Sequence, residues 1–166
     1  MLECVQDAVV AALRDGGLTA ARAYEPLPLD RQRDAAVYVG IRGARWEGSG
    51  FGEYLGWRTD PETGAEQECY ALRCQVEVSL DIYASQGGEN GAAACTACFD
   101  RAVAALRSLP AGLKLKALSC GGAAPDGDSG RFRCQGVLEG VAYLLAQPQE
   151  ESGEFTDFIL KGVLKG

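Results

Sequence analysis

From Tyr70 to Tyr83 apolar and polar residues alternate almost without a break. Tyr70, Leu72, Cys74, Val76, Val78, Leu80 and Ile82 fall on one face, and Arg73, Gln75, Glu77, Ser79 and Asp81 on the other. A period of two is the signature of a β-strand with one buried and one wet face. The pattern holds for thirteen residues, Tyr70–Ile82, whereas strands usually run about five or six. A strand of that length either projects beyond a compact core or pairs with something else. One helix follows it, Ala92–Leu109. Its apolar stripe is Cys95, Phe99, Ala102, Val103, Leu106 and Leu109, and Pro110 and Gly112 end it. Leu113–Cys120 (LKLKALSC) alternates again, with Lys114 and Lys116 giving it the charged protection of an edge strand. Arg131–Ala146 reads as a second long strand, with Val137, Val141 and Tyr143 on one side and Leu138, Ala142 and Leu144 on the other.

Upstream, residues 1–15 form an amphipathic helix. Leu2, Val5, Val9 and Leu13 make its stripe, acids sit near its start, Arg14 near its end, and Gly16-Gly17 stops it. Residues 18–34 contain Pro26 and Pro28 and read as an extended linker or irregular strand, and 35–43 as a short strand. In residues 44–58, Trp46, Phe51, Tyr54 and Trp57 are interleaved with Gly48, Gly50, Gly52 and Gly56. Glycine inside a strand marks bulges or bends, so this is a bent strand or a strand plus a loop. The turn chemistry of TDPETG (59–64) joins it to the long strand as an extended hairpin. Residues 85–91 and 121–130 read as flexible loops, 147–154 as an acidic loop, and FTDFILKGVLKG at 155–166 as a final strand. The expected fold class is α+β: a mainly antiparallel sheet, an N-terminal helix and one central helix packed on it, and a long protruding hairpin, all within one domain spanning 1–166.

Composition removes several kinds of chemistry. There is no histidine, so a histidine general base, a Ser-His-Asp triad and histidine metal ligands are excluded. The net charge of −7 argues against bulk nucleic-acid binding, which relies on Lys and Arg neutralising phosphates. No apolar run approaches the roughly eighteen residues of a membrane span. The start lacks the charged-then-apolar pattern of a signal peptide, so folding in a cytoplasm is expected. In that reducing setting the seven cysteines are expected to be small apolar packing residues.

The remaining motifs have weak chemistry. Cys95-Thr96-Ala97-Cys98 is a CxxC, but it lies about a turn inside a helix instead of at the N-terminus where the dipole would activate a thiol. A zinc site needs four ligands, and the other cysteines are scattered. GSGFGEYLG lacks the Lys-Ser/Thr of a phosphate loop. The acid pairs Glu66/Glu68 and Asp126/Asp128 sit in polar turns. No catalytic residue, cofactor or metal is therefore expected. The aromatics of 46–57 admit two readings: they complete the core, or they form a partner-binding surface, where Trp and Tyr are enriched. Trp46, Phe51, Tyr54 and Trp57 are the interaction candidates, together with Phe155 and Phe158 of the closing segment.

The order of elements resembles the tail terminator (tail completion) proteins of long-tailed bacteriophages and contractile phage-tail-like particles. The resemblance lies in an amphipathic first helix, a Pro-containing link, a variable strand region, the strand RCQVEVSLDIYA, the helix CFDRAVAAL, the strand CQGVLEGVAYLLA and the ending FTDFILKGVLKG. It covers nearly the whole chain and is one of order and pattern, without a diagnostic motif. It implies a non-enzymatic α+β subunit that forms a homohexameric ring on the head-proximal end of a tail tube. The implied partners are tube protein, sheath protein where the tail contracts, and neck protein; neither membrane nor sequence-specific nucleic acid is among them. Assembly would occur in the cytoplasm before the subunit joins the particle. Competing expectations are a head–tail connector or neck subunit, a cysteine-based metal or redox protein, and a small-molecule or peptide-binding module.

Overall fold

The structure is a computed structural model that describes residues 2–25, 35–48, 54–60, 63–85, 91–110 and 112–146. In chain order its elements are α1 (Leu2–Asp15), β1 (Thr19–Arg22), β2 (Ala36–Gly48), β3 (Tyr54–Thr59), β4 (Glu66–Ala84), α2 (Gly91–Ala105) with a 3-10 turn at Leu106–Ser108, β5 (Leu113–Cys120), β6 (Ala124–Asp126) and β7 (Arg131–Ala146). The α+β expectation holds: two helices pack on a mixed, mostly antiparallel sheet.

The main sheet order is β1-β2-β4-β7-β5, with β3 also pairing β4 and β6 pairing β7. Among the described strands only the β1–β2 pair is parallel. β1 falls where a linker or irregular strand was expected. Its TAAR sequence buries Ala20 and Ala21, residues too small to announce a strand by hydrophobicity. β2 runs on to Gly48, past the expected end at 43, and β6 occupies part of the expected 121–130 loop.

β4 is the axis of the molecule. Its 19 residues span about 60 Å, while a compact domain of 166 residues is roughly 40 Å across, so one end must overhang. Ala36–Gly48 pairs with Leu72–Tyr83, and after the 49–53 connection Tyr54–Thr59 pairs with Glu66–Tyr70. β2 and β3 thus form one interrupted arm of the expected long hairpin, whose turn is closed by backbone hydrogen bonds, Gly64 N–H donating to Asp60 O and Asp60 N–H to Ala65 O. On the other side the described part of β7 pairs as far as Tyr70, through Ala146.

The core lies under the half of the sheet that the helices cover. Val5, Val9, Val10 and Leu13 of α1 and Cys95, Cys98, Ala102 and Leu106 beside them meet Val37 and Val39 of β2. They also meet Cys74, Val76, Val78, Leu80, Ile82 and Ala84 of β4, and Cys134, Leu138 and Ala142 of β7. Each buried Val or Leu side chain contributes about 1.5–3 kcal/mol. Gly16 lets α1 and α2 approach: a Cβ there would sit 2.5 Å from Ala105 Cβ. Polar ties pin the helix ends, with Gln6 Nε2 donating to Val39 O at 2.6 Å, Arg14 Nε to Ala20 O at 2.8 Å and Arg101 to Gly17 O at 2.8 Å. Among the described residues no helix is long and apolar enough to cross a membrane.

The ladder has register shifts at Arg42 (between Ile41 and Gly43), Leu55 (between Tyr54 and Gly56) and Lys116 (between Leu115 and Ala117). The first and third lie at one level of the sheet: Gly43 pairs with Glu77, Glu77 with Glu139, and Glu139 with Ala117. Bulges increase local twist and bend the strand that carries them. The sheet is therefore creased along a line just short of the overhang.

The cysteine expectation needs correction. Cys74, Cys95 and Cys98 are buried packing residues, but Cys4 is exposed and Cys120 and Cys134 form a disulfide. The two partners flank the 121–130 segment and are brought together because β5 and β7 are neighbours, with Cys120 opposite Gly136. Separation along the chain alone does not reveal that adjacency.

Candidate docking surface

The candidate residues lie from the edge of the covered half, where Trp46 pairs with Cys74, out along the overhang. Paired residues in an antiparallel ladder project to the same face. Trp46 pairs with Cys74, Tyr54 with Tyr70, and Trp57 with Glu68. All three therefore share the face of β4 that carries Tyr70, Leu72 and Cys74, the same face the helices cover further along. The odd and even positions 46, 54 and 57 would not share a face on a regular strand. The shifts at Arg42 and Leu55 bring them into phase.

Among the described residues no helix covers the outer end of this face. Trp46, Tyr54, Trp57 and Tyr70 are 42, 37, 63 and 36% exposed. Tyr54 and Tyr70 stack edge-on, with ring centroids 5.7 Å apart. The Tyr70 hydroxyl donates to Glu68 Oε2 at 2.6 Å. That bond, then burial, pushes its phenol pKa up, holding the ring as a neutral donor. Glu66 and Glu68 share the aromatic face and edge it with negative charge. On the reverse face stand Arg45, Glu47, Arg58, Arg73 and Gln75, joined by an Arg45–Glu47 ion pair at 3.1 Å and a Gln75–Glu47 hydrogen bond at 2.9 Å. The ribbon is thus amphipathic, aromatic on one side and charged on the other. Trp46, Tyr54 and Trp57 are exposed and so do not complete the core.

Tyr70 is the member that reading the sequence missed. Its place in the alternation marks it as a core-face residue, and the relevant signal was the strand's excess length, which leaves Tyr70 beyond the reach of α2. Phe51, Phe155 and Phe158 lie outside the described residues.

Among the described residues, the sheet face opposite the helices carries shallow depressions. One, of about 550 Å³, is lined by Arg45, Arg73, Lys116, Glu77 and Glu139. Another, of about 510 Å³, is lined by Tyr38, Tyr83, Asp81, Asp126 and Arg133. In the second, Arg133 pairs with Asp81 at 2.7 Å and lies 5.6 Å from the centre of the Tyr83 ring, so the depression already holds its own cation. Cys95 and Cys98 face the core from α2, and burial pushes the Cys98 thiol up to about 11 and the Cys95 thiol in the same direction. A thiol held protonated is a poor nucleophile and a poor metal ligand. Among the described residues no group of three or more Cys, Asp or Glu is placed to hold a metal ion.

No family model matches this chain, and no curated protein matches it.

Proposed function

We propose that this protein is a structural assembly subunit, a tail terminator that forms a ring on the head-proximal end of a phage or phage-like tail tube. Where the tail contracts, it also anchors the last sheath ring. The single observation that carries this reading is the overhanging ribbon, with four exposed aromatics on one face and charge on the other. Exposed Trp and Tyr at that density are the anchors of protein interfaces, where large rigid rings bury much area for little lost rotamer freedom. The order of secondary-structure elements adds the resemblance described above. Rings close through heterologous contacts repeated by rotation, and a sheet-edge ribbon reaching past its own core supplies one half of such a contact. The alternative, a neck subunit, uses the same kind of surface at a different place in the particle.

Deletion of residues 48–64 tests the reading. Glu47 pairs with Arg73, so a chain rejoined from Glu47 to Ala65 closes through 65–72 and leaves the helix-covered sheet intact. The expected result is a folded monomer that no longer forms rings or caps tubes by electron microscopy with tube protein. Rings that persist, or tails of normal length and intact sheath without the protein, would overturn it. Protein located at the portal would favour the neck subunit.

A further inference from the structure

We infer that the aromatic face of the overhang receives residues 155–166 from a second copy of this chain. The inference rests on the ring reading and names the contact that closes the ring.

Size selects a short segment as the occupant. Aromatic side chains bury about 150–250 Å² each, so four that are one-third to two-thirds exposed offer on the order of 400 Å². A stable subunit interface needs about 800 Å² per partner. The face suits a peptide-sized strap that adds to other contacts.

Chemistry selects the segment. The receiving face is aromatic with Glu66 and Glu68 at its edge. Residues 155–166, FTDFILKGVLKG, bring Phe155, Phe158, Ile159, Leu160, Val163 and Leu164 together with Lys161 and Lys165 against one acid, Asp157. The segment is thus apolar and slightly basic where the face is apolar and acidic.

Geometry selects a neighbour as the donor. β7 ends at Ala146, opposite Tyr70 and on the far side of β4 from β2 and β3. To reach its own Trp57 the chain would have to fold back across β4 beside Glu68, the residue paired with Trp57. The connecting stretch QPQEESGE carries Glu150, Glu151 and Glu154, and like charges oppose that crossing at short range. Directed away, its eight residues reach about 27 Å, enough to lap over an adjacent subunit.

Three measurements test this. Native mass spectrometry should show the full chain as an oligomer and the chain ending at Gln149 as a monomer with an unchanged far-ultraviolet circular dichroism spectrum. The synthetic peptide FTDFILKGVLKG should bind that shortened chain and change its tryptophan fluorescence, and Trp57→Ala should weaken the binding by about tenfold or more. A photo-crosslinker in place of Phe158 in the full chain should link one copy to the next at the 54–70 ribbon. An unchanged oligomer after truncation, a peptide that does not bind, or crosslinks confined to single chains would each overturn the inference. If the truncated protein still forms rings that cap tubes, the strap is wrong and the terminator reading stands. If tail-dependent rings form but leave tubes uncapped, the reverse holds.

Discussion

The two halves of β4 share one alternating pattern and have different fates. From Cys74 to Ala84 the even residues are fully buried or nearly so beneath α1 and α2. From Glu66 to Tyr70 no described helix lies over the same face. The residues differ accordingly: the covered half uses Val, Leu, Ile and Cys, and the outer half is faced with Tyr70 of its own strand and Tyr54 and Trp57 of β3. Aliphatic chains gain only by leaving water, whereas a Tyr or Trp has a polar edge that tolerates half-exposure. Alternation therefore reports the strand, and the type of apolar residue reports how fully its face is covered.

Mutations can break this comparison. The largest difference expected is between Leu80→Ala and Trp57→Ala. The first removes a fully buried side chain and should destabilise by about 3 kcal/mol. The second should leave stability within about 0.5 kcal/mol. Urea titrations of both proteins measure this, and a Trp57→Ala protein as unstable as Leu80→Ala would show that the overhang is core after all.

A second contrast uses glycines. At Gly16 a new Cβ meets Ala105, while at Gly43 nothing lies within 4 Å. Gly16→Ala should push α1 from α2 at a cost of about 1–3 kcal/mol, and Gly43→Ala should shift the thermal midpoint little.

The thiols give a third, read by pH. Cys98 keeps its proton to about pH 11 when folded, against an ordinary 9.0. The unfolded chain loses that proton first. The stabilisation is therefore complete below about pH 9 and disappears as pH rises through about 11. Burial raises the Tyr38 and Tyr83 phenols as well, so Cys98→Ala should lessen the alkaline loss without abolishing it. Iodoacetamide should label exposed Cys4 well before Cys95 or Cys98. The smallest expected effect is that of Tyr70→Phe, which removes one exposed hydrogen bond to Glu68 and should alter stability by less than about 0.5 kcal/mol.

The long strands, α1 and α2 were legible because each repeats its period many times over: Cys74 to Ile82 and Cys95 to Leu106 carry their faces in the sequence. β1 was not, since Ala20 and Ala21 are buried by a parallel neighbour from elsewhere in the chain. The disulfide was missed for a similar reason, as Cys120 and Cys134 become neighbours only once β5 lies beside β7. Trp46, Tyr54 and Trp57 stood out as an unusual aromatic cluster, but their common face could not be read. It depends on backbone shifts at Arg42 and Leu55 that leave no mark on side-chain composition.

The bulge at Arg42 acts as a phase shifter. Before it, the odd residues Val37, Val39 and Ile41 point toward the helices; after it, the even residues Ala44 and Trp46 do. Loss of this single residue would leave every side chain of the distal arm present and in order, yet turn that stretch of ribbon inside out. Trp46 would move to the charged side, and Arg45 and Glu47 would stand where the ring now lies. The identity of the surface is thus held by a count of residues as much as by their kinds. A one-residue deletion at position 42 would be expected to change the make-up of this face more than replacing any one of the aromatics.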